Sequence, residues 1–120
     1  MPKKIEKFED FEVWQESVEL CLEIYKCLKE CKDFSLKDQM QRAAVSIPSN
    51  IAEGYERQSN KEFIRFLFIA KGSCGELRTQ IYIALELNLI DKNIGEDLIE
   101  KTKRISAMLS KLIKTRAEKF

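Results

Sequence analysis

Apolar residues return every three or four positions along nearly the whole chain, and that spacing leaves little room for anything but packed amphipathic helices. The first run carries Trp14, Val18, Cys21, Tyr25 and Leu28 beside Val13, Ser17, Leu20, Ile24, Cys27 and Cys31. The second carries Leu36, Met40, Ala43, Ala44, Ile47, Ile51 and Tyr55. The third carries Phe63, Phe66, Leu67, Ala70, Cys74, Leu77, Ile81, Ala84 and Leu85, and the fourth Ile94, Leu98, Thr102, Ile105, Leu109 and Leu112, with Met108 and Ile113 on its flanks. Boundary signals punctuate these runs. Asp10 is placed to cap the first helix, Ser35 with Asp38 the second, Ser59 with Glu62 the third and Asp91 the fourth, while Asn88 suits a left-handed helix end. The reading is all-α: one domain over 1–120, with helices at about 11–32, 36–55, 60–88 and 92–117. Short connections make it an antiparallel up-down-up-down four-helix bundle.

Several function classes are excluded early. The chain has no histidine, which removes histidine-based general bases, triads and metal sites. No glycine-rich phosphate loop or cluster of metal ligands occurs, so no cofactor or metal is expected. Four cysteines, Cys21, Cys27, Cys31 and Cys74, lack the paired spacing of structural zinc sites and read as buried free thiols. The longest apolar run, Phe66 to Ala70, is far shorter than the ~20 residues of a membrane span. Met1 to Lys7 has no apolar signal core, so the expected location is the cytoplasm.

The net charge of +1 is unevenly spread. Residues 1–34 hold six basic and nine acidic side chains, whereas residues 98–120 hold seven basic and two acidic ones, so the last helix forms a basic edge. Lys101, Arg104, Lys111 and Lys114 on that edge are candidate nucleic-acid contacts.

Pro48 sits in the middle of the second apolar stripe, and the stripe keeps its face on both sides of it. The expectation is therefore one helix kinked at Pro48, with the missing donor opposite Ala44 costing roughly 3 kcal/mol in an ordinary helix. Gly54 reads as the start of its unwinding. Beside the stripe, Gln39, Arg42, Ser46, Ser49, Asn50 and Glu53 fall within about 100° of one another, a polar seam next to the core. Ser49 and Asn50 are placed to bond carbonyls that the proline frees. The seam reads first as a structural network or interface, next as a ligand or nucleic-acid contact, and last as a catalytic cleft. Glu53 is its single carboxylate, and no nucleophile–base pair is visible.

The third helix has apolar residues left over. Ile64, Phe68 and Tyr82 point to one side of its core stripe, and Ile69, Ile83 and Leu87 to the other. A helix apolar nearly all round needs a second partner, so Ile64, Phe68, Ile69, Tyr82 and Ile83 are the expected oligomer interface. Gly72, Ser73 and Gly75 on the same helix would admit another backbone.

The chain resembles a family of bacterial four-helix-bundle proteins encoded in intervening sequences of 23S ribosomal RNA genes. The likeness covers about residues 8–113. It rests on Phe11, Val13-Trp14-Gln15, Gln39, Arg42-Ala43-Ala44 and the block Ser46-Ile47-Pro48-Ser49-Asn50-Ile51-Ala52-Glu53-Gly54, then on Ser59, Glu62-Phe63, Phe66-Leu67, Ala70, Ser73 and Glu76-Leu77. The resemblance implies a left-handed bundle assembled as a ring-like homopentamer with no established activity. It is more distantly similar to the accessory variability determinant of diversity-generating retroelements, a strongly basic pentamer that works with nucleic acid, from which this chain departs in charge. The expected function is thus a non-enzymatic homo-oligomeric scaffold or adaptor. The alternative is an accessory protein that binds RNA or single-stranded DNA through the fourth helix.

Overall fold

The computed structural model describes residues 4–120; residues 1–3, part of the amino-terminal stretch discussed above, lie outside the described residues. A 3-10 turn, Phe8–Asp10, leads into four helices: α1 Glu12–Cys27, α2 Phe34–Glu56, α3 Asn60–Glu86 and α4 Lys92–Lys119. The fold is all-α.

Each helix packs on two others around a square, α1 on α2, α2 on α3, α3 on α4 and α4 back on α1. Cross-helix pairings run in opposite chain senses. Ser46 meets Ser73 while Gly54 faces Phe63 and Phe66; Glu23 meets Lys101 while Glu16 meets Arg104; and Asn60 meets Arg116. Helices α2 and α3, and likewise α1 and α4, therefore run in opposite senses. The core draws fully buried side chains from every helix, among them Leu20, Ile24, Met40, Ile47, Phe63, Leu67, Leu98 and Ile105. The rings of Phe11, Tyr55 and Phe63 close one end with centroids 5.3 to 5.7 Å apart, Tyr55 edge-on to both phenylalanines and those two tilted at 47°.

Local chemistry sets most boundaries. Ser59 accepts from the Glu62 amide at 3.1 Å and Asp91 from the Ile94 amide at 3.0 Å, both as expected of N-caps. Asn88 takes the left-handed conformation with φ 56°. Two caps differ from expectation. Phe11, not Asp10, occupies the α1 cap position, because Asp10 closes the preceding turn by accepting from the Glu6 and Lys7 amides. Asp33, not Ser35, caps α2, accepting from the Leu36 amide at 3.1 Å.

Helix α1 stops at Cys27, earlier than the pattern suggested, and Leu28 turns into the core beneath the loop while accepting from the Cys31 amide. Tyr25 and Ile94, placed in core stripes by periodicity, are exposed at the rims of open grooves, Tyr25 beside α2 and Ile94 beside α1. Gly95 and Ile99 take the inward positions of α4 instead.

Helix α2 runs without interruption through Pro48 and past Gly54. Gly54 lies in the last turn of α2, where its carbonyl accepts from the Arg57 amide at 3.2 Å. A Cβ there would lie 2.5 Å from Phe66 Cβ, so the absent side chain is what lets α2 approach α3.

Candidate functional site

The polar seam of α2 divides into a connected centre and two separate ends. At the centre, the Asn50 amide nitrogen donates to the Ser46 carbonyl at 2.8 Å and to Ser46 Oγ at 2.9 Å, and Ser46 Oγ shares a 2.8 Å hydrogen bond with Ser73 Oγ on α3. The Asn50 bond goes to the Ser46 carbonyl and not to Ala44, whose partner the proline removes. Arg42 turns instead to Asp38, one turn back, at 2.8 Å, and Glu53 to Arg57 at 2.6 Å. Arg42, Ser46, Ser49 and Asn50 line one open groove of about 580 Å³ with Tyr25, Asp38, Gln41 and Val45, whereas Gln39 and Glu53 lie outside it. No general base faces a nucleophile in this groove. Its chemistry is hydrogen bonding between helices.

The outer face of α3 is the main apolar surface left uncovered. Phe68 is 55% exposed, Tyr82 48%, Ile83 44% and Ile69 41%, while Ile64 is half-buried against the core. Leu87 extends the row at 56%. Gly72 and Gly75 sit on this face with nothing within 4 Å of a Cβ built on either. Bulky exposed apolar side chains in contiguous rows on one helix mark an interaction surface more strongly than scattered ones.

The basic edge of α4 is partly spent inside the chain. Lys101 Nζ lies 2.7 Å from Glu23 and 3.0 Å from Asp97, and these carboxylates hold its pKa above the usual lysine value. Arg104 makes a two-pronged pair with Glu16 at 2.7 and 3.0 Å and reaches Glu12 at 3.5 Å. The Arg104 guanidinium in turn holds the Glu16 carboxyl below its ordinary 4.5. Lys111 borders a groove of about 510 Å³ with Phe11 and Met108, and Lys114 is exposed.

The profile of 23S rRNA-intervening sequence proteins matches residues 9–111. The chain belongs to that family. A crystal structure from Bacteroides thetaiotaomicron VPI-5482, of a protein with unknown function from the S23 ribosomal protein family, is similar at a TM-score of 0.80 and 30% sequence identity. The likeness covers 86% of this chain and 99% of that one. No curated protein gives a match. Membership fixes the bundle and leaves the biochemical role open, since that solved relative has no known function.

For this member of the 23S rRNA-intervening sequence family, further residues join the picture that periodicity alone did not single out. Gln80 on α3 is only 6% exposed, and its Oε1 has no hydrogen-bond partner among the described residues. Ser73, one of the three small residues expected to admit another backbone, is instead buried within the subunit as the partner of Ser46. Asn60 and Arg116 exchange two hydrogen bonds at 2.8 and 2.9 Å, and the Arg116 guanidinium lies over the Phe63 and Phe120 rings. Only the spatial pairing of helix ends reveals that clamp.

All four cysteines are free, Cys31 and Cys74 buried and Cys21 and Cys27 half-buried. Burial pushes the Cys27 thiol up to about 11 and Cys74 to about 12, so neither is a thiolate nucleophile near neutrality. Among the described residues, no group of three or more Cys, Asp or Glu side chains is placed to hold a metal, and no helix is long and apolar enough to cross a membrane.

Proposed function

We propose that the protein is a non-enzymatic homo-oligomeric scaffold or adaptor whose subunits assemble into a ring of five through the outer face of α3. The observation that carries this reading is the exposure of Phe68, Ile69, Tyr82 and Ile83 on a helix whose opposite face already fills the core. Geometry on the helix supports the ring. At 100° per residue, the row of Ile69, Ile83 and Leu87 and the row of Ile64, Phe68 and Tyr82 point roughly 110° apart. In a closed ring of five, each subunit meets its two neighbours along directions about 108° apart, so two such rows on one helix suit that closure. The seam supports the absence of catalysis, because Arg42 and Glu53 are each engaged in ion pairs along α2.

Size-exclusion chromatography with light scattering tests the reading directly. A ring of five has a mass of about 70 kDa from subunits of 14.0 kDa. A 14 kDa particle at micromolar concentration overturns it.

A second reading, association with RNA or single-stranded DNA along α4, keeps support from Lys111 and Lys114, which have no carboxylate partner among the described residues. Lys101 and Arg104 would have to exchange Glu23 and Glu16 for phosphates. Exposed ion pairs are weak enough to exchange. This reading requires binding at ~50 mM salt that weakens steeply as salt rises. Absence of binding at that salt removes it.

A further inference from the structure

We infer that the acidic face of α1 is a built-in competitor for nucleic acid: Glu12, Glu16 and Glu23 occupy the donors of Lys101 and Arg104 that phosphates would use, and a bound strand displaces them. The inference rests on the second reading above, association with RNA or single-stranded DNA along α4, and adds what regulates that edge. Its starting point is a segregation of charge. From Lys101 to Ala117, α4 carries six cations and no carboxylate, whereas α1 carries Glu12, Glu16, Glu19 and Glu23 within about 60° of one another. Like charges three or four positions apart destabilise the helix that bears them. Helix dipoles do not account for the pattern, since Glu19, Lys101 and Arg104 lie more than a turn from any helix end.

The two rows meet across the α1–α4 seam. Glu16 forks the Arg104 guanidinium with bonds of 2.7 and 3.0 Å, the two-pronged geometry that a guanidinium also offers a phosphate. Glu12 approaches the same guanidinium at 3.5 Å, and both Glu23 oxygens accept from Lys101 Nζ, at 2.7 and 2.8 Å. Glu19 joins them around a cleft of about 210 Å³ lined by Leu20 and Ile105. These pairs are open to solvent, the Arg104 side chain 61% and the Lys101 side chain 41% exposed. Pairs so open contribute little to the fold and exchange for another anion at small cost. Lys111 borders the same groove as Arg104, about 10 Å further along the helix axis, and has no carboxylate partner among the described residues. Lys114 follows one turn later. A strand that engages Lys111 and Lys114 therefore reaches Arg104 next, and takes it only by displacing Glu16 and Glu12.

The experiment compares the full-length protein with the triple variant Glu12→Gln, Glu16→Gln, Glu23→Gln. A charge-matched control carries Glu6→Gln, Glu30→Gln and Glu56→Gln, at exposed positions off α4 that make no ion pair among the described residues. None of these residues lies on α3, so the contact proposed for assembly is left intact. Circular dichroism confirms helical content, and fluorescence anisotropy reads the binding of a labelled oligouridine at ~50 mM salt and over a salt series. The first variant is expected to bind about tenfold more tightly than the unmodified protein. Its plot of log affinity against log salt is expected to steepen by about 1.4, since two further phosphates on a single strand add roughly 0.7 each. Adding Lys101→Gln and Arg104→Gln to that variant is expected to abolish both gains. An unchanged affinity or slope in the first variant overturns the inference, and so does an equal gain in the control, because bulk charge then suffices. An equal gain toward polyglutamate overturns it as well, by showing a surface for any polyanion. Binding by neither the unmodified protein nor the first variant removes the nucleic-acid reading itself, a distinct result.

Discussion

Gly54 and Gly72 show how the same residue type carries opposite consequences at two points of one bundle. A methyl group at Gly54 would lie 2.5 Å from Phe66 Cβ, which is anchored to backbone and cannot swing aside. Gly54→Ala is therefore expected to destabilise by about 1–3 kcal/mol through overpacking, measured by urea unfolding. At Gly72 nothing lies within 4 Å, so Gly72→Ala is expected to stabilise by up to about 1 kcal/mol through helix propensity alone. That measurement belongs in the Phe68→Glu background, where assembly does not enter. Gly95 falls between them: its added methyl would meet Leu85 Cδ2, the mobile end of a side chain. Glycine is a punctuation mark in sequence, which is why Gly54 read as a helix end. Its role as a contact point depends on which residues face it, and Phe66 comes from another helix.

Between elements, polar pairs set alignment. Ser46→Ala takes the partner from Ser73 Oγ and leaves Asn50 only the backbone carbonyl of position 46, and is expected to cost about 1–3 kcal/mol. The double change Ser46→Ala with Ser73→Ala is expected to cost at least about 0.5 kcal/mol less than the two single losses combined, as a double-mutant cycle by urea unfolding would show. The α1–α4 contact carries a pH signature. Arg104 holds the Glu16 carboxyl below its ordinary 4.5, so the folded state favours the ionised form. That contribution is fully present above about pH 4.5 and is lost as pH falls through the lowered value. Glu16→Gln is therefore expected to be less stable than the parent at pH 7, with the gap in unfolding midpoint closing in acid. Helix order, N-caps at Ser59 and Asp91 and the left-handed Asn88 were all legible, because each depends on residues within a few positions. The early stop of α1 was not. Leu28, Cys27 and Cys31 continue the helical spacing, while in the fold Leu28 is buried and its carbonyl accepts from the Cys31 amide in a turn beyond the helix.

At the scale of the molecule, the unspent apolar surface is the property with most leverage. Phe68→Glu is expected to reduce the particle to 14.0 kDa in light scattering while leaving helical content unchanged, since Phe68 is exposed in the subunit and contributes little to its core. Unchanged mass would mean that assembly uses another face. The polar seam was legible as a group because its members share one helix face, yet its grouping by function was not. Arg42 and Glu53 find partners along α2, whereas Ser46 finds one on α3. The outer face of α3 was legible as surplus hydrophobicity, since a wheel shows when one helix has more apolar residues than one neighbour can cover.

By itself the sequence determined the four helices, their order, most of the core and the family, because a 3.6-residue period and short-range caps are local properties written in adjacent positions. Tertiary structure decided the rest. It placed Gly54 and Gly95 at close approaches, set Ser46 against Ser73, and, among the described residues, buried Gln80 with an unpartnered oxygen and left Lys111 and Lys114 without the carboxylate partners that Lys101 and Arg104 have. Each of those outcomes depends on which side chain stands across a gap between helices. That distance is set by packing the whole bundle and by no single stretch of chain.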